Sequence, residues 1–69
     1  MRNLIKERLK ELRKECSLTQ KQVAKIINKS ETGYASWEQG LAEPGIHDLI
    51  ALSLYYNVTI DYLVGKDDI

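Results

Sequence analysis

Apolar residues recur along this chain at intervals of three and four, and no segment alternates long enough to make a convincing strand. Helices are therefore predicted throughout. The first runs from about Asn3 to Glu15, with Ile5, Leu9, Leu12 and Cys16 on one stripe. The second opens at Thr19 with Gln22 three residues on. This capping-box spacing lets each side chain satisfy the other's free backbone N–H. Val23, Ala24 and Ile27 form its inner face, and Asn28, which tolerates the left-handed conformation, ends it. Ser30 caps a third helix that stops at Gly40, and Pro44 and Gly45 mark the next turn. A fourth helix, Ile46 to Tyr56, is expected to bury Ile46, Leu49, Ile50, Ser53 and Tyr56, with Asp48 suiting its dipole. Asn57 ends it. Thr59 caps a short fifth helix, Ile60 to Val64, closed by Gly65. The expectation is an all-α, compact five-helix bundle: one domain over residues 1–65 and a frayed tail over 66–69.

The second and third helices are joined by a three-residue turn, the helix-turn-helix arrangement. On a wheel at 100° per residue, Glu31, Thr32, Ala35, Ser36 and Gln39 share an arc of about 140°. Gly33, Tyr34, Trp37 and Glu38 lie opposite. Both aromatics fall in the second set, so that face is predicted to be buried, with Gly33 admitting a close helix–helix contact. The first set is short-sided and mostly uncharged, which suits a helix that must lie against another surface; an ordinary polar face is the bland alternative. An inward Glu38 needs a partner, because an unpaired buried carboxylate costs several kcal/mol. Arg13, near the end of the first helix, is the predicted one, in a bidentate pair.

Sixty-nine residues make one small domain, able to bury only about 60% of its unfolded surface. One Cys and one His cannot make an internal disulfide or a four-ligand zinc site, and Cys16 reads as a small buried hydrophobe. No apolar run approaches the ~20 residues of a membrane span and no leader is visible, so a cytoplasmic protein is expected. The net charge of zero hides a polarity. Residues 1–29 carry nine basic and three acidic side chains, a net +6; residues 30–69 carry one and seven, a net −6. A chain so divided can present a basic face to an anion.

The chain resembles the Cro and phage-repressor type helix-turn-helix regulators, often called the Xre family. The resemblance rests on "RLKELRKECSLTQKQVAK" (8–25), Ser30, "WEQG" (37–40), "EP" (43–44) and "VTIDYLVG" (58–65), in one register. It implies the phage-repressor five-helix bundle. It implies that Glu31, Thr32, Ala35 and Ser36 look into the major groove, and that Gln20, Gln39 and Leu41 contact the DNA backbone. Gln20 would also brace the recognition helix, and Arg13 with Glu38 would match a family ion pair. Family members often have Arg, Lys or Gln at the places of Glu31, Ser36 and Gln39, and a basic residue at that of Leu41, and the chain departs from them there. Asn28 replaces a turn glycine, and Lys29 stands where an apolar residue is common.

Phosphate neutralisation supplies much of DNA affinity, and here Lys21, Lys25 and Lys29 are the candidates; for Lys21 and Lys25 a solvated stripe is the alternative. Thr32 and Ala35 can touch a thymine methyl, Ser36 can donate or accept at a base edge, and Glu31 can accept from cytosine. Glu31 could equally only support the helix dipole, worth about 0.3–1 kcal/mol. Leu54 and Tyr55 fall on the outer arc of the fourth helix with Ala51. With Val58 and Ile60 they make a candidate dimer patch, where the resemblance also places dimer contacts; ordinary exposed side chains are the alternative. The function expected is sequence-specific double-stranded DNA binding by a regulator, a repressor, dimeric at least on DNA. The rival is a protein-interaction module, antitoxin- or antirepressor-like, on the same fold. No enzyme, cofactor, small-molecule ligand or membrane partner is expected: His47 points outward, and no nucleophile–base pair or phosphate loop is visible.

Overall fold

A computed structural model describes residues 3–66, which form five helices and no strand. They are α1 (Ile5–Glu15), α2 (Gln20–Ile26), α3 (Glu31–Gln39), α4 (Ile46–Tyr56) and α5 (Ile60–Val64). The start signals act as their chemistry requires. Thr19 and Gln22 form a reciprocal capping box, and the hydroxyls of Ser30 and Thr59 accept the Gly33 and Tyr62 N–H groups. Asn28 and Asn57 take the left-handed conformation, at φ 62° and 57°. Residue 65 must be glycine on two counts: its φ is 86°, and a Cβ there would stand 2.7 Å from the Leu4 Cγ. That close approach lets the Leu4 N–H donate to the Val64 carbonyl, 3.1 Å away, and closes the start of the chain onto α5.

The core is built from Leu9 and Leu12 of α1, Val23 and Ala24 of α2, Tyr34 and Trp37 of α3, Leu52 and Leu63, with Ile5 at its edge. α1 runs through the middle, packing on α3 and α5, while α2 packs on α3 and α4 on α5. The Tyr34 and Trp37 rings meet edge to face, 5.7 Å between centroids, and fix the roll of α3 on the core.

Four expectations need correction. α1 begins at Ile5, two residues late, because the Asn3 side chain accepts the Ile5 N–H and ends the helix there. Cys16 is exposed: the chain leaves α1 at that residue and turns through Ser17 at φ 55°, and Leu18 packs on the core instead. Gly33 meets no neighbouring helix; a Cβ there would stand 3.0 Å from the Ser30 capping hydroxyl. On α4, Ile46 and Ile50 are exposed, and Leu52 is the residue with no exposure at all. Of the expected tail, Lys66 donates its N–H to Asp61, 2.8 Å away, and residues 67–69 lie outside the described residues. No helix among the described residues is long and apolar enough to cross a membrane.

Candidate nucleic-acid interface

The capped start of α3 and its left-handed stop at Gly40 set the helix on the surface with one face inward. Tyr34, Trp37 and Glu38 are buried; Glu31, Thr32 and Gln39 are exposed, and Ala35 and Ser36 are half-buried. One cleft of about 370 Å³ brings Gln20, Glu31, Thr32, Ala35, Ser36, Gln39 and Leu41 together. These are all four predicted base-reading residues and three of the six predicted backbone-contacting ones. A second cleft, about 350 Å³, carries the remaining three, Lys21, Lys25 and Lys29, beside Ala24, Asn28 and the same Glu31. Glu31 thus stands where the uncharged face meets the lysines.

Two details narrow what these side chains can do. The Ser36 hydroxyl donates to the Gly33 carbonyl at 2.6 Å, so what it offers outward is an acceptor oxygen. The Lys29 ammonium lies 3.3 Å from Asp48 in the first turn of α4, so part of its charge is already compensated. Leu54 and Tyr55 are exposed as expected, whereas Val58 and Ile60 are half-buried and Val58 packs on the core.

Beneath the face, a polar clamp holds the helix. Arg13 donates from Nε to Glu38 Oε2 at 2.7 Å and from Nη2 to Oε1 at 3.0 Å, the predicted bidentate pair. Its Nη1 donates to the Leu18 carbonyl at 3.0 Å, and Gln20 Nε2 reaches Glu38 Oε1 at 3.1 Å. The Glu38 side chain is 1% exposed. Burial by itself would raise its pKa, but hydrogen bonds, from Arg13 above all, hold it below the ordinary glutamate value. The Tyr34 hydroxyl also bears on this carboxylate, though outside good hydrogen-bond geometry. Burial drives the Tyr34 phenol far up, and pushes that of Tyr56 up to about 12. Gln20 therefore links the first turn of α2 to α3, and its amide carries a second N–H besides the one given to Glu38. Among the described residues no group of three or more His, Cys, Asp and Glu could hold a metal ion.

A family model described as helix-turn-helix matches residues 9–63. The chain is 38% identical over 63 residues to the HTH-type transcriptional regulator ImmR of Bacillus subtilis (strain 168), covering 91% of this chain and 50% of ImmR. It spans about half the length, or less, of the curated relatives it matches. Among solved structures, a transcriptional regulator from Listeria innocua superposes with a TM-score of 0.90 at 34% identity, covering 94% of this chain and 61% of that one. The P22 c2 repressor, solved in complex with a synthetic operator, superposes with a TM-score of 0.85 at 31% identity, covering 93% and 97%. The family model's match includes the turn between α2 and α3, and this chain belongs to the helix-turn-helix family of transcriptional regulators, of the Cro and phage-repressor type.

Proposed function

We propose that this chain is a sequence-specific double-stranded DNA-binding regulator, a repressor, that inserts α3 in the major groove. The observation that carries the reading is the exposed face of α3: short, uncharged beyond Glu31, and flanked by a lysine-bearing cleft. Thr32 and Ala35 supply methyl contacts and Ser36 an acceptor for a base amino group. Gln20, Lys21, Lys25, Gln39 and the Leu41 loop meet the backbone, with Lys29 divided between phosphate and Asp48. The operator has two half-sites about one helical turn apart, bound by a dimer joined near Leu54 and Tyr55. Such a regulator works in the cytoplasm.

Titrating duplex DNA at several salt concentrations tests the reading, because neutralised phosphates make affinity fall linearly on a log–log plot. A steep fall is expected; absence of binding at low salt would favour the protein-interaction module instead. In the same assay Glu31→Ala is expected to relax preference at a single base position, with discrimination there dropping by about 1–3 kcal/mol. A uniform gain across all sequences would mean that Glu31 only repels phosphate.

A further inference from the structure

No lysine or arginine occurs between Ser30 and Gly65, so the C-terminal end of α3 and the loop after it carry no cation of their own. Yet a cation is there. The Lys6 side chain of α1 lies across Gly40, so close that a Cβ at residue 40 would stand 3.1 Å from its Cδ and 3.6 Å from its Nζ. Gly40, at φ 79°, lies between Gln39 and Leu41, two of the residues assigned to the DNA backbone. Lys6 is exposed and takes part in neither the Arg13–Glu38 nor the Lys29–Asp48 ion pair. It lines a cleft of about 220 Å³ with Asn3, Trp37, Gly40 and two acids, Glu7 and Glu43. The one acid of the following loop, Glu43, accepts a hydrogen bond from Asn3 Nδ2 at 2.6 Å. The lysine thus lies against the bare backbone of residue 40.

We propose that Lys6 is a phosphate-contacting residue, delivered by α1 to the position where the loop after the recognition helix lacks a basic side chain of its own. The inference rests on the DNA-binding reading above. It has a structural alternative, since a cation at a helix C-terminus also stabilises the helix dipole. The two roles separate in salt dependence. A lysine on a phosphate adds about 0.9 to the slope of log affinity against log salt, whatever the base sequence. A lysine that only caps α3 contributes to thermal stability alone.

The test uses the full chain and a mixed-sequence duplex titrated over a range of salt. Lys6→Gln is expected to lower the slope by about one phosphate and to leave the melting temperature near that of wild type. Lys6→Arg is expected to retain the slope, and Lys66→Gln, removing the one cation outside the basic first part of the chain, to change it little. A wild-type slope unchanged by Lys6→Gln, or changed equally by Lys66→Gln, overturns the proposal. Absence of wild-type binding at low salt overturns it together with the reading on which it rests.

Discussion

Replacing Arg13 by alanine is expected to destabilise the folded chain by about 3–5 kcal/mol, the usual effect of removing one member of a buried ion pair. The carboxylate left behind is 5% exposed as a residue and keeps only Gln20 as a hydrogen-bond donor of good geometry. A domain of this size has little stability in reserve, so much of the protein should be unfolded at room temperature. Urea denaturation measures the effect, and a change below about 1 kcal/mol would show the clamp to be dispensable. Replacing both partners by apolar side chains, Arg13→Met with Glu38→Leu, should recover most of the stability, because no charge then stays buried.

The same pair gives a pH signature. The folded chain releases the Glu38 proton more readily than the unfolded chain does. The stability this contributes is complete above the ordinary glutamate value of 4.5 and is lost as pH falls from there through the lower folded-state value. In Arg13→Ala this dependence weakens, since burial, which raises the carboxyl pKa, is then opposed without the largest of the lowering contacts. Wild type should lose stability as pH falls below about 4.5, while the variant loses less.

The second large effect separates two faces of α4. Leu52→Ala is expected to cost about 2–5 kcal/mol, as truncation of a fully buried leucine does, and Ile50→Ala less than about 1 kcal/mol. A cost at Ile50 equal to or above that at Leu52 would mean that α4 buries the face its sequence alone suggests. That helix is the least legible in the sequence. Ile46, Leu49, Ile50, Leu52, Leu54 and the two tyrosines leave almost no polar side to α4, so periodicity has nothing against which to choose a buried face. The contact with α5 chooses it, and sequence spacing does not encode that contact.

Elsewhere the chain is legible because its signals are local. Thr19, Ser30 and Thr59 act on N–H groups three residues away, and Asn28 and Asn57 on their own backbone. The recognition helix is legible for a different reason: both of its aromatics fall on one side of the wheel, which leaves a single free face. Even the distant Arg13–Glu38 pair could be inferred, because an inward carboxylate demands a cation. What escapes are contacts of surface side chains between separate elements, such as Lys29 with the half-buried Asp48, and the passage of Lys6 over Gly40. These follow from where the helices cross, and a solvated charge can be left without a specific partner at little cost.

On this account α3 reads base sequence although it carries no positive charge. Selection of bound duplexes from a random pool, at low and at near-physiological salt, tests that most directly. The expected result is an enriched site with two half-sites about one helical turn apart. The preference should be retained at the higher salt while overall affinity falls, and it should be altered by Thr32→Ala or Glu31→Ala. Retention of duplexes without any enriched sequence, or of none at low salt, would contradict it.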